Sequence, residues 1–285
     1  MSEALRQATH ARHYAEAPQR TDTDGSRHWI TRAANFATVV TQATKGAVLD
    51  RENPDEYMML LPPETEAVIE ADGERVVSRG ESLTIVPPGE SRVTVSNGGT
   101  VIRVFSSKAS DVMAAAKNAA VYSDGAPEVT PITPWPDPVG GFRLRHYDLS
   151  KIQSPDASPL KMRVFRSTNL MINIFVPWTS RRDERRLSPH SHEDFEQMSL
   201  ALKGSFVHHL RYPWSPDKTR WRNDEHEHYD SPSVLVIPAR VIHTTQDVGE
   251  GSTWLIDIFA PPRMDFSSKP GFVLNAEEYP TPKTQ

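Results

Sequence analysis

Short apolar segments separated by turn residues are the feature that most constrains this sequence. Between positions 29 and 106 the chain contains ATVVTQAT, EYMMLL, EAVIEADGERVV, SLTIVPPGES, RVTVSNGG and TVIRVFSS, all short for helices. The pairs Asp72-Gly73 and Asn97-Gly98 are typical of tight hairpin turns. The 24 prolines and a mean hydropathy of -0.53 also favour short elements. This half of the chain is therefore predicted to be all-β.

A second series of strand-like segments begins near position 160. It comprises LKMRVFRS, NLMINIFVP, QMSLALKGSFVHHLR, SVLVIP and TWLIDIFAP. The likeness of SLTIVPPGES to SVLVIPARVIH indicates a duplication of one all-β unit. One segment, Ser110–Ala120, is predicted to be helical, because it has an alanine-rich body and Ser110 or Asp111 as its N-cap.

Prolines also divide the chain into units. Segment 124–141, DGAPEVTPITPWPDPVGG, has prolines at 127, 131, 134, 136 and 138, which prevent regular strand pairing and suit a semi-rigid linker. We expect a polar N-terminal arm at 1–27, a first all-β unit at 28–123 and a second at 142–285.

Composition argues against several classes of function. The chain has no cysteine, so a metal ion must be bound by nitrogen and oxygen ligands. A net charge of -5 and the lack of a basic recognition helix argue against nucleic acid as a partner. The sequence has no apolar core of a signal peptide and no run as long as a membrane span. We therefore expect a cytoplasmic protein that acts on a small molecule, without a membrane partner.

Histidines are concentrated in the second half of the chain. Seven of the 11 lie between His190 and His243. In the sequence PHSHEDFEQ, His190 and His192 are two residues apart, and on a strand this spacing points both imidazoles to one face. Two imidazoles on one face can share a single metal ion, so this segment is the candidate metal site.

The spacing around these histidines resembles the first signature of the cupin superfamily. H-S-H is followed after four residues by Gln197 and after six more by Gly204. The segment from Pro238 to His243 resembles the second cupin signature, P-x-G-x-x-H, with Arg240 at the usual glycine. The resemblance implies two jelly-roll (double-stranded β-helix) cupin barrels.

Members of this family bind one divalent transition metal inside the barrel. Carried over by position, the resemblance implies His190, His192, Gln197 and His243 as ligands. Glutamine stands where most cupins have glutamate, so the ligand set carries one negative charge fewer. Such a centre is expected to be a stronger Lewis acid and to favour an anionic substrate.

Glu196 is the alternative to Gln197 as the fourth ligand. If Gln197 points inward, strand alternation turns Met198, Leu200 and Leu202 outward, toward a neighbouring sheet or subunit. If Glu196 is the ligand, the same three residues point inward. We prefer Gln197 because it keeps the family spacing to the later glycine. The outward apolar stripe would serve a homodimer unless the first unit covers it.

Two further residues are candidates for the site. If Lys203-Gly204 forms a two-residue hairpin loop, Ser199 faces His208 on the inner surface, which makes His208 a candidate catalytic acid or base. Arg211 is the candidate substrate-binding residue, although surface ion pairs are the commoner use of arginine. The polar stretch RNDEHEHYDS, which contains a second H-x-H, is predicted to be a loop.

The first unit lacks the metal signature. Arg92 follows PPGES where the second unit has His243, and no H-x-H precedes EYMMLL. The arrangement resembles bicupins in which one barrel has lost its ligands. Arg92 is interpreted as structural, with anion binding as the alternative.

A three-histidine centre with a weak oxygen ligand leaves coordination positions open for substrate. We expect one divalent transition metal, with iron preferred over nickel, manganese or zinc. The favoured function is a dioxygenase acting on a small, anionic or chelating organic substrate. The alternatives are a metal-dependent isomerase, lyase or decarboxylase of a sugar acid or hydroxy acid, and a non-catalytic bicupin that binds or senses a small molecule.

Overall fold

Strands dominate both halves of the molecule. The computed structural model describes residues 5–282 except positions 134, 157 and 159. The strands of the first half are β1 (Thr9–Ala11), β2 (Arg20–Thr21), β3 (Arg27–Arg32), β4 (Phe36–Ala43), β5 (Val48–Asn53), β6 (Tyr57–Leu61), β7 (Ala67–Ala71), β8 (Glu74–Ser78), β9 (Ser82–Val86), β10 (Gly89–Val95) and β11 (Gly99–Ser106). Those of the second half are β12 (Arg145–Asp148), β13 (Met162–Arg166), β14 (Met171–Phe175), β15 (Gln197–Lys203), β16 (Phe206–Arg211), β17 (Glu225–Tyr229), β18 (Ser233–Ile237), β19 (Ile242–Asp247) and β20 (Trp254–Phe259).

The two halves repeat one strand order. The large sheet contains β9-β6-β11-β4-β3 in the first half and β18-β15-β20-β14-β13 in the second. Each large sheet faces a smaller one, β5-β10-β7-β8 or β17-β16-β19, and every strand pair is antiparallel. The predicted fold class of two jelly-roll barrels is confirmed, and the repeated order fits a duplication. We call these units the first barrel and the second barrel.

The two barrels exchange edge strands. β1, in the N-terminal arm, pairs with β18 of the second barrel, while β12, which follows the linker, pairs with β9 of the first. Each exchange covers a sheet edge that would otherwise present unpaired backbone groups. The hydrogen bonding therefore crosses the predicted unit boundaries, which themselves stay a prediction.

Apolar side chains join the large sheets back to back. Met198 and Leu200 of β15 belong to the same buried cluster as Met58 and Leu60 of β6, and Leu202 packs at its margin. Full burial of such a side chain contributes roughly 1.5–3 kcal/mol. The outward stripe of β15 is thus covered inside the chain, and it is no longer available to support the homodimer expected from the sequence.

Two predicted local structures need correction here. The helix α1 covers Ser110–Ala115 and ends before the predicted Ala120, with an uncapped start at Ala109. Asn97-Gly98 is not a hairpin turn, because β10 and β11 pair with different strands and lie in different sheets. By contrast, Asp72-Gly73 does form the tight turn between β7 and β8, with positive φ at both residues.

The remaining helical elements are short. They are α2 (Met264–Ser267) and the 3-10 turns Ala119–Tyr122, Leu149–Lys151, Glu184–Arg186 and Lys218–Arg220. Within the described ranges, no helix is both long and apolar enough to cross a membrane.

Lys203-Gly204 is also not a hairpin loop. β15 pairs with β18 and β20, whereas β16 pairs with β17 and β19, so the chain passes from one sheet to the other at this point. Gly204 has φ +89°, and a Cβ atom here would lie 2.3 Å from Cγ2 of Thr253. The close approach of Thr253 requires glycine at this crossing.

Candidate metal centre

Three histidines converge inside the second barrel. One nitrogen atom from each of His190, His192 and His243 lies within 4.8 Å of the others. Backbone contacts hold the group together, since His190 and His243 form an isolated antiparallel bridge with N···O distances of 3.1 and 2.8 Å. His190 is exposed, whereas His192 and His243 are buried, so the group opens toward solvent on one side.

A strained turn anchors His192. Arg240 has φ +66°, in the left-handed region that favours glycine, and its N–H donates to the carbonyl of His192 at 2.6 Å. The family resemblance places a glycine at this position, and the backbone angle explains why. Arginine adopts the same turn at a cost of roughly 1–2 kcal/mol.

Two of the imidazoles have their tautomers set by backbone carbonyls. Nδ1 of His243 lies 3.0 Å from the carbonyl of Val241, and Nδ1 of His190 lies 2.9 Å from that of Ser188. A carbonyl oxygen only accepts, so each Nδ1 carries the proton and each Nε2 keeps a lone pair. Burial lowers the pKa of His243 to about 3, which keeps this imidazole neutral at pH 7.

Burial likewise lowers the pKa of His192 to about 4, and the nearby positive charge of Arg263 lowers it further. Neutral imidazoles are the form that ligates a metal ion. The two buried histidines are therefore ready to bind without first losing a proton.

Gln197 faces the two buried histidines. Its Oε1 lies 3.0 Å from Nε2 of His192 and 3.2 Å from Nε2 of His243. Its amide nitrogen donates to Oγ of Ser199 at 3.0 Å, and that hydroxyl donates to Oδ1 of Asp257 at 2.6 Å. Because an ionised Asp257 only accepts, the chain of donors fixes the amide with its oxygen toward the histidines.

This arrangement fits a bound cation. Oε1 of Gln197 and the unprotonated Nε2 of His243 are both acceptors, so their contact at 3.2 Å is not a hydrogen bond. A metal ion between them would satisfy both lone pairs. Imidazole nitrogen and amide oxygen are suitable ligands for divalent transition metals, and the residues present therefore fit the implied group.

Glu196 lies on the opposite face of the strand. Its carboxylate accepts hydrogen bonds from the backbone N–H of Ala34 at 2.6 Å and from the hydroxyl of Tyr122 at 2.9 Å. Both partners belong to the first half of the chain. The structure thus brings Gln197 to the histidines and directs Glu196 to the contact between the halves.

His208 lies inside the same barrel. It is buried, its Nδ1 lies 2.9 Å from Oγ1 of Thr245, and Thr245 is its register partner on β19. His243 is two residues from Thr245 on the same face, so His208 and His243 are diagonal neighbours. The predicted hairpin between β15 and β16 was wrong, so His208 does not pair with Ser199. His208 points inward because β16 pairs with β19.

Arg211 is not brought to the histidines. It lies at the end of β16 with an exposed side chain and forms an ion pair with Asp224, Nη2 to Oδ2 2.6 Å. The predicted loop RNDEHEHYDS is also corrected, because Glu225–Tyr229 forms β17, with His226 and His228 exposed on its outer face. Arg92 lies on the outside of the first barrel, paired with Asp50.

Two functional candidates were missed by the sequence reasoning. Asp257 lies in the barrel interior opposite Ser199, and burial raises its pKa to about 6. Arg263 lines a cleft of about 570 Å³ that also contains His190 and His192. A lone acid within the apolar strand TWLIDIFAP was the available signal for Asp257. Nothing local distinguished Arg263 from the other arginines.

Arg263 is held beside His192 by aromatic rings. Its guanidinium carbon lies 4.9 Å from the ring centroid of Phe259 and 5.6 Å from that of Phe195, which stacks on His192 at 4.5 Å. Asp265 accepts from it at 2.7 and 3.1 Å. Its side chain is only 12% exposed, so its charge acts in a partly desolvated cleft.

Comparison with known proteins supports the fold. No protein-family model and no curated protein matches this sequence. A variant of oxalate decarboxylase from Bacillus subtilis matches with a TM-score of 0.59 and 12% identity, over 97% of this chain and 84% of that chain. A protein from Pseudomonas aeruginosa, provisionally named a glyoxylate-induced protein, matches with a TM-score of 0.54 and 13% identity. The match covers 84% of this chain and 82% of that chain.

The coconut allergen cocosin gives a TM-score of 0.58 with 9% identity, over 90% of this chain and 86% of that chain. These proteins have the cupin fold. At such low identity the likeness shows architecture alone, so the comparisons establish that this chain has the bicupin fold.

Proposed function

We propose that the second barrel binds one divalent transition metal through His190, His192 and His243, with Gln197 as a weaker fourth donor. One observation carries this proposal: the amide oxygen of Gln197 is held against two imidazole nitrogens by the hydrogen bond to Ser199. Without a cation, the lone pairs of Oε1 of Gln197 and Nε2 of His243 face each other. With one, all four side chains act as ligands.

The proposed substrate is a small organic carboxylate that chelates the metal. The four donors are neutral, so the bound ion keeps its full positive charge and attracts an anion. Arg263 lines the cleft that leads to His190 and His192, and its Nη1, which the ion pair with Asp265 does not use, can donate to a carboxylate. Phe195 gives this cleft an apolar wall next to His192, and the buried ring of Phe259 packs against His192 and Phe195.

We propose a lyase, with decarboxylation as the favoured reaction. When bound, the metal supplies Lewis-acid polarisation of a carboxylate or carbonyl oxygen. Arg263 would orient the second charged end of the substrate, and Asp257 with Ser199 would hold the amide of Gln197 in place. The structural neighbour from Bacillus subtilis is an oxalate decarboxylase, which supports this class through fold likeness alone.

The dioxygenase favoured by the sequence stays a prediction without support from these neighbours. The two reactions differ in one measurable reactant, because a dioxygenase consumes oxygen and a simple decarboxylase does not. Neutral imidazole ligands suit several metals, so iron, manganese, nickel and zinc are all tested.

The first experiment measures metal content. Protein purified without chelator is analysed by inductively coupled plasma mass spectrometry, beside His192→Ala and the matched control His228→Ala, which changes an exposed histidine of β17. We expect close to one metal per chain in the wild type and in the control, and less than a tenth of that in His192→Ala. A wild type that neither contains metal nor takes it up on titration would refute the site.

The second experiment measures the reaction. Protein loaded with each metal is incubated with a panel of small 2-oxo, 2-hydroxy and dicarboxylic acids, while carbon dioxide release and oxygen uptake are followed together. Carbon dioxide release without stoichiometric oxygen uptake supports the lyase, and oxygen uptake supports the dioxygenase. Tight binding of an acid without turnover under any metal would identify a sensing protein and overturn the proposed enzyme.

A further inference from the structure

A turn of the first barrel docks beside the proposed metal ligand Gln197. The turn, residues 33–35, joins β3 to β4. The backbone N–H of Ala34 donates to the carboxylate of Glu196, the residue before Gln197, at 2.6 Å. The next residue of the turn, Asn35, is only 8% exposed. A segment of the barrel that lacks the metal signature therefore lies against the start of β15.

Asn35 joins two segments at the cleft that contains His190 and His192. Its Nδ2 donates to the carbonyl of Thr130 at 2.8 Å and to that of Ala260 at 3.0 Å. Carbonyl oxygens only accept, so the nitrogen of the amide must face them and both of its protons are used. Thr130 belongs to the linker and lines the cleft, whereas Ala260 directly precedes segment 261–265, which lines it as well. One buried side chain thus holds these two segments together.

Thr130 connects Asn35 to the loop that carries the histidines. Its backbone N–H donates to the carbonyl of Asp194 at 2.7 Å, and its hydroxyl donates to the carboxylate of Asp194 at 2.6 Å. Asp194 comes two residues after His192 and lines the same cleft. Because both the backbone and the side chain of Asp194 are held, the loop cannot shift without breaking these hydrogen bonds.

Ala260 connects Asn35 to Arg263. Only two residues separate Ala260 from Arg263, and both are prolines, Pro261 and Pro262. The proline ring fixes the backbone angle φ, so a carbonyl held at Ala260 restricts the path of the chain to Arg263. The contacts of Asn35 therefore act on the histidine loop on one side and on the arginine of the cleft on the other.

We propose that Asn35 is a positioning residue that sets the separation between the metal and Arg263, and thereby the length of the dicarboxylate that the cleft prefers. The inference rests on the proposed function, in which one end of the substrate binds the metal and the other meets Arg263. A ligand held at two points is sensitive to their spacing, whereas a monocarboxylate held at the metal alone is not. The first barrel would thus contribute to specificity through its turn.

The experiment uses cobalt(II), whose visible absorption changes when a carboxylate enters its coordination sphere. The cobalt-loaded full chain is titrated with malonate, succinate, glutarate and acetate, and the affinity for the best dicarboxylate is divided by that for acetate. The variant is Asn35→Leu, and the matched control is Asn275→Leu, which removes a buried amide that bonds to the backbone of Arg166 and does not line the cleft. The wild type and the control should give a ratio of about ten or more, and Asn35→Leu a ratio below about three with unchanged acetate binding.

Two results would overturn the inference: the wild-type ratio in Asn35→Leu, or an equal loss in Asn275→Leu, which would trace the effect to a general loss of stability. If Asn35→Leu fails to fold, Thr130→Val decides, because it removes only the hydroxyl contact with Asp194. Its ratio should fall at least about twofold and recover in Thr130→Ser, which keeps the hydroxyl. An unchanged ratio in Thr130→Val would refute the role of Asn35.

Failure of the proposed function gives a different result. A wild type that takes up no cobalt refutes the metal site, and cobalt uptake without any preference for a dicarboxylate over acetate refutes the proposed role of Arg263. Either outcome also overturns the inference on Asn35. A wild type that takes up cobalt and prefers one dicarboxylate supports the proposed function, and the variants then decide on Asn35 alone.

Discussion

Acid should destabilise this protein through His208. Burial lowers the pKa of His208 from 6.5 to about 3, and the nearby imidazoles of His10 and His209 lower it further. The native state therefore keeps this side chain neutral, while the unfolded chain takes up a proton below pH 6.5. The contribution to stability is complete above pH 6.5 and is lost as the pH falls through 6.5 toward 3.

The size of the effect follows from the two pKa values. Each pKa unit corresponds to about 1.4 kcal/mol, so the full range gives about 5 kcal/mol as an upper bound. A pH of 5 lies 1.5 units below the pKa of 6.5 that His208 has in the unfolded chain, so His208 is protonated there, whereas in the native state it is still neutral. His208 should then cost about 2 kcal/mol relative to neutral pH. This value hardly depends on the native pKa, as long as it lies below about 4.

The assay compares His208→Asn with the wild type. Asparagine can replace Nδ1 in the hydrogen bond to Thr245 but does not titrate. Free energies of unfolding are measured by urea titration at pH 7.5 and pH 5, with chelator in all samples so that the metal ligands contribute equally. The wild type should lose about 2 kcal/mol more than the variant between the two pH values.

The variant is expected to be less stable at both pH values, so only the difference in pH dependence is diagnostic. His228→Asn, on the exposed face of β17, is the matched control and should keep the wild-type loss. An equal loss in His208→Asn and wild type would refute the reasoning, since it would mean that His208 is protonated in the native state or accessible to water.

Four further substitutions test the site and the fold. Gln197→Glu adds a charge to the ligand set and should tighten metal binding at least about tenfold in a competition titration; unchanged affinity would remove this side chain from the site. Glu196→Gln should keep full metal content but lose about 1–3 kcal/mol of stability in urea unfolding, because it weakens a buried hydrogen-bonded contact. Arg211→Ala removes an exposed ion pair and should change stability by less than about 1 kcal/mol and leave KM unchanged; a raised KM would return it to the substrate site. Gly204→Ala should cost more than about 2 kcal/mol in thermal or urea unfolding, because of its positive φ and the contact with Thr253; a mild effect would show that the crossing is adaptable.

The convergence of the histidines was accessible from sequence because it depends on local spacing. His190 and His192 are two residues apart, and His243 follows a proline at a fixed distance. The structure places His190 and His192 in a loop and not on a strand as expected, and a single bridge joins His190 to His243. The alternation of β15 then separates Gln197 from Glu196. A period of two residues is a strong constraint wherever one face is apolar, as it is at Met198 and Leu200.

The sequence did not show which sheet each strand would join. Gly204 looks like a hairpin residue in sequence, yet its positive φ serves a crossing between two sheets that only the packing of Thr253 reveals. Likewise, the arm strand β1 pairs with a strand more than 200 residues later, and no local pattern encodes that choice. Arg263 reaches the cleft because a loop after β20 folds back over the aromatic rings near His192.

The two barrels share one strand order but differ in the side chains that fill their interiors. On β6 the inward residues are Tyr57, Met59 and Leu61, all fully buried in an apolar cluster. The corresponding inward residues at the start of β15 are Gln197 and Ser199, which are smaller and polar. Large apolar side chains fill the first barrel, whereas the smaller polar ones of the second form hydrogen bonds with each other and with Asp257.

Replacing apolar interior side chains by polar ones weakens the second barrel unless another part of the chain compensates. The compensation comes from the opposite face of the same strands, where Met198 and Leu200 pack against Met58 and Leu60 in one continuous core. Because that core is shared, removal of metal should lower the stability of both barrels together, and thermal unfolding of the metal-free chain should remain a single transition. Two separate calorimetric transitions would show that the shared face does not couple them. The duplication would then provide the site with a scaffold of similar architecture but independent stability.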